Sequence, residues 1–302
     1  MDDYQLHRQR VFLPYVGVHA RGIEVGPGYR PTFAKAAGYA VTVVDHCGTA
    51  ELIAKYTADT NVPRELVAQI EEVDVVWTEG SYKDLPGLGG AVDYIVASHV
   101  IEHTTDVCGF LMDCSSLLSD RGVLLLAIPD RSCVLDFYRP ASTLGDVLLA
   151  HVDPQAYDVK SRMDEVWYGA LLDGGGAWSL EHLTLATREG RVPLPQHGAN
   201  VGGHVWMQSL AQAKARQDSA SRAYRDAHRW ALDPHSFAEI VGFLEVFAAL
   251  GLHMEALPGG FGCEFYAVLR KQRTVVGVNS TELESVRSRA MQARRQRVVP
   301  PA

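Results

Sequence analysis

Short apolar runs alternate with stretches of helical periodicity along this chain, the pattern of a parallel sheet whose strands are joined by crossover helices. Residues 21–25 read as a first strand, ended by the turn Gly26-Pro27-Gly28. Pro31 then suits the first turn of a helix, where its missing N–H costs nothing, and Gly38 closes that helix. Residues 41–44 form a buried strand ending at Asp45, Thr49 caps a helix over 50–56, and 73–77 and 93–97 are the third and fourth strands. Over 106–118 the side chains of Val107, Phe110, Leu111, Cys114, Leu117 and Leu118 share one helical face. The turn Asp120-Arg121-Gly122 follows, and 123–128 is a continuous apolar strand, as in the middle of a parallel sheet.

The pattern resumes near the C-terminus. Asp233-Pro234 opens a helix whose apolar face is Phe237, Ile240, Val241, Leu244, Phe247 and Ala248, and Gly251 stops it. Residues 252–257 and 264–269 are strands joined by a loop at 258–262, too short for anything but an antiparallel pair. The predicted fold is α/β: a doubly wound, seven-stranded, mainly parallel sheet with its last strand antiparallel. A largely helical insertion follows strand 5. The core is 1–130 with 231–273, the insertion is 131–230, and 274–302 is a basic tail. Within the insertion, helices are expected at 142–152, 162–172 and 209–228, with a loop at Asp173-Gly174-Gly175-Gly176.

Charge is uneven. The net value is −8, but residues 270–302 hold eight basic and two acidic side chains, so that stretch is +6 and residues 1–269 are −14. An acidic body recruits nucleic acid poorly, which disfavours that partner. No apolar run of about 18 residues offers a membrane span, and the first residues form no signal core, so cytoplasmic residence is the expectation. The five cysteines are scattered with no C-x-x-C pair, against a disulfide framework and against a thiolate zinc site.

Chemistry concentrates at the predicted C-terminal ends of the strands, where open α/β sheets bind ligands. Gly26 and Gly28 let a backbone pass close under a ligand where a Cβ would collide. Asp45 offers two acceptor oxygens that match the vicinal hydroxyls of a ribose. Ser98, His99, Glu102 and His103 follow the fourth strand, and an imidazole there is suited to take a proton from an acceptor hydroxyl. If this stretch curls, His99, Glu102 and His103 share a face with two histidines and one carboxylate, a donor set for a divalent metal. His151 or His228 would then supply a further ligand from the insertion. A divalent metal is possible on this pattern, but proton transfer is the favoured reading.

Together these residues resemble class I S-adenosylmethionine (SAM) dependent methyltransferases. Gly22-Ile23-Glu24-Val25-Gly26-Pro27-Gly28 looks like the family's first motif, and Val43-Val44-Asp45-His46 like its ribose-binding strand end. Gly80-Ser81-Tyr82-Lys83-Asp84-Leu85-Pro86 is similar to the segment flanking the adenine. The run Asp93-Tyr94-Ile95-Val96-Ala97-Ser98-His99-Val100-Ile101-Glu102-His103 resembles the motif after the fourth strand. The run through Ile128-Pro129-Asp130 looks most like methyltransferases encoded beside glycosyltransferases. Two positions depart from the pattern: Arg30 replaces the third glycine, and Ser81 stands where many members hold the adenine amino group with Asp.

The resemblance implies SAM as cofactor, held by Glu24, Gly26, Pro27, Gly28, Asp45, His46, Gly80, Ser81 and Ser98, with His103 or His99 as the base. The acceptor is expected to be a hydroxyl or amine of a small molecule, and a homo-oligomer stays open. Two other readings remain. A nicotinamide-dependent oxidoreductase would use a similar sheet, but Pro31 stands at its third fingerprint glycine and the prolines of the turn remove N–H groups that a pyrophosphate needs. A non-catalytic SAM-binding subunit would keep the fold without turnover.

Overall fold

The computed structural model describes residues 2–60, 62–78, 80–86, 91–137, 139–169, 227–247 and 250–272. Seven strands form one sheet: β1 (Arg21–Val25), β2 (Ala40–Asp45), β3 (Val75–Val76), β4 (Val92–Ser98), β5 (Leu118–Pro129), β6 (Leu252–Ala256) and β7 (Glu264–Lys271), in the order β3-β2-β1-β4-β5-β7-β6. The first five run parallel, and β7 lies antiparallel between β5 and β6. Strand order reverses between β1 and β4, which opens a crevice at their C-terminal ends.

Alternation along β5 shows how the sheet is buried on both faces. Leu124, Leu126 and Ile128 join the larger core, with α4 (Val107–Leu117), α5 (Leu144–Val152) and the helix Pro234–Phe247, here α7. Val123, Leu125 and Ala127 face the other way, against Phe12, Phe33, Tyr94 and Tyr266. The remaining helices are α1 (Asp3–Phe12), α2 (Thr49–Ala58), α3 (Arg64–Val67) and α6 (Pro154–Gly169). None of the described helices is long and apolar enough to cross a membrane.

Three features differ from the sequence reading or lie outside it. The helix after β1 does not form: only a 3-10 turn at Lys35–Ala37 is present, closed by Gly38 at φ 89°. The amides of Thr32 and Phe33 donate instead to the Glu24 carboxylate, at 2.6 and 3.1 Å, so they are spoken for before a helix can start. Second, the face that a crossover helix would cover is partly closed by α1, which the apolar pattern does not reveal. Its capping box pairs Asp2 with Gln5, and it buries Gln5, Arg8 and Phe12. Third, β5 starts five residues early, since Leu118 already pairs with Val92 and the Asp120-Arg121-Gly122 turn lies within the strand's bounds, with Arg121 at φ 68°.

The two ends of the predicted insertion meet at one sheet edge. Arg131 N donates to Leu232 O at 2.7 Å and Ser142 N to Ala231 O at 2.8 Å. Helix α5 starts at a Thr143 capping box, close to expectation, and α6 runs earlier than the 162–172 reading. Residues 227 and 228 are not helical; the helix expected over 209–228 otherwise lies outside the described residues, as do the 173–176 loop and the tail from 273.

Candidate active site

The turn after β1 is built around two backbone positions that only glycine takes easily. Gly26 has φ 60° and Gly28 φ 51°, and a Cβ on either would stand 2.9 Å from Val100 Cγ2 or 3.0 Å from the Tyr56 hydroxyl. Gly26 N–H donates to Val44 O at 2.8 Å, which ties the turn to the end of β2. There Asp45 is buried; its Oδ2 accepts a long bond from Gly28 N at 3.4 Å, and its Oδ1 accepts from His46 N at 2.7 Å. The His46 ring nitrogen Nδ1 is 2.6 Å from the same Oδ1.

A cavity of about 1170 Å³ opens over this turn. Gly26, Pro27, Gly28, Asp45, His46, Gly80, Ser81, Ser98, His99 and His103 all line it, so the structure brings together every site residue read from the sequence except one. Glu24 is the exception. Successive strand residues face opposite sides of a sheet; Ile23 and Val25 point into the larger core, and Glu24 points away from it into its two backbone donors. Its carboxylate is 1% exposed, and burial raises its pKa against the lowering effect of those N–H bonds. It shapes the turn and does not line the cavity.

The adenine-side residues are arranged differently from the expected serine contact. Ser81 Oγ donates to Asp113 Oδ2 at 2.6 Å, and Tyr82 N donates to the same oxygen at 2.7 Å. Asp113, from α4, lines the cavity, so a carboxylate reaches the place where Ser81 alone was expected. Arg30 does not crowd the turn unguided: its Nε lies 2.6 Å from Asp2 Oδ2 and its guanidinium stacks over Tyr4 and Tyr29.

Across the crevice stands a histidine–carboxylate cluster. His99 adopts φ 54°, and its Nε2 is 2.8 Å from Glu264 Oε1. Glu264 is also clamped by Arg8: Arg8 Nε donates to Oε2 at 2.9 Å and a second guanidinium nitrogen pairs with Oε1. Burial alone would raise the Glu264 pKa, but the bonds from Arg8 and His99 hold it down at about 2. Ile101–His103 form a 3-10 turn, in which Glu102 points inward and His103 meets the His228 ring edge-on at 5.0 Å. The carbonyl of Glu102 accepts from Arg229 N at 2.7 Å and Trp230 N at 3.2 Å, so the far end of the insertion is stitched to this turn. Burial would lower the His228 pKa, but Asp136 beside it raises it.

Sequence reasoning missed Arg8, Asp113 and Glu264. Arg8 and Glu264 are 256 residues apart and Ser81 and Asp113 are 32 apart, and no local spacing signals such pairs. The Asp2–Gln5 capping box was the available signal for the helix that carries Arg8.

A sheet of this order, with a glycine turn, a carboxylate at the end of β2 and a large crevice at the switch point, is the arrangement in which open α/β folds bind ligands. The chain belongs to the methyltransferase domain family, whose model matches residues 3–241. It is a methyltransferase. No curated protein matches it. Among solved structures, it is similar to a protein from Listeria monocytogenes assigned as a SAM-dependent methyltransferase, at 10% identity and TM-score 0.42, over 89% of this chain and 98% of that one. It is also similar to a SAM-dependent methyltransferase from Thermotoga maritima, at 16% identity and TM-score 0.30, over 44% and 56% of the two chains. The glycopeptide N-methyltransferase MtfA with sinefungin gives 16% identity and TM-score 0.29, over 42% and 55%.

The residues present fit SAM. The glycine turn leaves room that a Cβ would fill, and Ser98 Oγ and Trp77 Nε1 are buried at the cavity wall with no hydrogen-bond partner among the described residues.

Proposed function

We propose that this methyltransferase acts on a hydroxyl or amine of a small polar molecule, a saccharide or a natural-product intermediate, and that His99 or His103 receives the acceptor proton. The observation that carries the reading is the crevice itself. Its two walls are the glycine–Asp45 turn and the stretch from His99 to Asp106 with Arg229, and at about 1170 Å³ it exceeds the roughly 300–1,000 Å³ of an ordinary single-ligand site. SAM supplies an electrophilic methyl group on a good leaving group, so the chain's task is alignment and removal of one proton.

In this reading Gly26, Gly28, Asp45, Ser81 and Ser98 hold the cofactor. His99 is the better oriented of the two candidate bases: a buried, Arg8-clamped carboxylate fixes its Nε2, and the imidazole lines the cavity. The acceptor oxygen or nitrogen loses its proton to the imidazole as it takes the methyl group. The insertion covers the acceptor and excludes water. The likeness of the 128–130 run to methyltransferases encoded beside glycosyltransferases directs the acceptor reading toward saccharides.

Turnover of isotope-labelled SAM against a panel of saccharides, phenols and amines tests this. With an acceptor found, His99→Asn is expected to lower kcat by roughly 10²–10⁴-fold at unchanged SAM affinity, the usual weight of a general base. Unaltered turnover in both His99→Asn and His103→Asn would remove the imidazole base from the account.

A further inference from the structure

Glu102, His103 and His228 each present a ligand atom, and these atoms lie within 4.8 Å of one another, the one such group of three among the described residues. Glu102 makes the group unusual. Its side chain is 1% exposed, and neither carboxylate oxygen has a hydrogen-bond partner among the described residues. A buried carboxylate in that state is expensive unless a cation sits beside it.

What surrounds it is imidazole at the wrong distance for a hydrogen bond: His103 Nε2 is 3.6 Å and His99 Nδ1 3.5 Å from Glu102 Oε1. Two ligand atoms held about 2.1 Å from one tetrahedral ion stand roughly 3.4 Å apart, so the His103–Glu102 separation is that of two ligands around a shared cation.

His228 carries a second, independent mark. Its Nδ1 is 2.5 Å from Asp136 Oδ2, while Arg139 donates to the other Asp136 oxygen at 2.6 Å and to the carbonyls of His228 and Arg229 at 2.8 and 2.9 Å. An imidazole that donates Nδ1–H to a carboxylate keeps Nε2 as its acceptor, the arrangement that orients metal-bound histidines. His151 does not join the group; its Nδ1 is 2.8 Å from Asp106.

We propose that Glu102, His103 and His228 form a binding site for one divalent transition-metal ion, oriented by Asp136 and bordering the cavity that His103 lines. Two imidazole nitrogens among three donors favour Zn²⁺, Co²⁺ or Fe²⁺ over Mg²⁺ and Ca²⁺, and three protein ligands leave a coordination position open. The site is a property of the chain alone, independent of the acceptor reading, and it would leave the proton to His99.

The test is binding, not turnover. Full-length protein stripped with chelator and titrated with Zn²⁺ should take up one ion per chain, unopposed by millimolar Mg²⁺. Glu102→Gln and His228→Ala, at unchanged melting temperature in chelator, should each weaken Zn²⁺ at least about a hundredfold, and Asp136→Asn roughly ten- to a hundredfold. Should the variants melt early, the unmutated protein decides: pulsed electron paramagnetic resonance of bound Cu²⁺ should show two imidazole ligands. No stoichiometric Zn²⁺, equal affinity in Glu102→Gln, competition by Mg²⁺, or Cu²⁺ with fewer than two imidazoles would each overturn the proposal.

Discussion

The carboxylates of Glu24, Asp45 and Glu264 all stand at or next to strand ends, and their partners separate their roles. Glu24 spends both oxygens on backbone amides of the turn it follows into. Asp45 faces the cavity, and among the described residues its Oδ2 accepts the long Gly28 contact alone, so it retains acceptor capacity for a ribose. Asp45→Ala is therefore expected to weaken SAM by roughly 1.5–3 kcal/mol, the range for a hydrogen bond to a charged group, measured by titration calorimetry on folded protein. The Arg8 and His99 bonds depress the Glu264 pKa from its ordinary 4.5 to about 2. A depressed carboxylate stabilises the fold above its unfolded pKa and loses that contribution as pH falls through the folded one. Between pH 4.5 and about 2 the chain should lose on the order of 3 kcal/mol from this group, and in Glu264→Gln the urea midpoint should fall less steeply across that window. An identical pH profile in the variant would show that the Arg8–Glu264–His99 chain contributes nothing to acid stability.

At the scale of elements, β1 and β4 are locked by a glycine. Gly22 pairs in register with Tyr94, and a Cβ on it would stand 2.1 Å from the Tyr94 ring, which is wholly buried. Gly22→Ala should cost about 1–3 kcal/mol by chemical denaturation, as overpacked cores do, and leave SAM affinity near normal; an unchanged midpoint would mean the ring has room to move. The strands were legible because each is a short apolar run, and α4 and α7 because their apolar residues keep a helical period. Helix α1 was not legible, since it buries Gln5 and Arg8, whose partners are Pro31 O and Glu264, both remote in sequence. The helix expected from Pro31 failed for a related reason: local propensity cannot see that the Glu24 side chain captures the amides of Thr32 and Phe33. Of the cavity lining, the residues carried by motifs (Gly26, Gly28, Asp45, Ser98, His99, His103) were legible in the sequence. Asp113, Glu264 and the approach of His228 to Glu102 depend on tertiary packing.

For the whole molecule, the described part of the insertion is built into the main core. Val147, Ala150, Tyr157 and Trp230 pack with sheet and α4 residues, Trp230 stacks on Tyr157 at 4.2 Å, and its Nε1 donates to Thr104 O at 2.8 Å. A cut at 131 and 230 would tear these out, so the cap is better tested by replacing 170–226 with a short linker. That protein is expected to bind SAM nearly as the full chain does and to lose methyl transfer; loss of SAM affinity in a folded product would assign the segment to the cofactor instead. The central claim, a SAM-binding crevice at the β1–β4 switch point, is tested most directly by calorimetric titration of the intact chain. The account predicts one SAM per chain, displaced by S-adenosylhomocysteine, and no heat with NAD⁺. A folded chain that binds no SAM, or that binds NAD⁺ in its place, would contradict it.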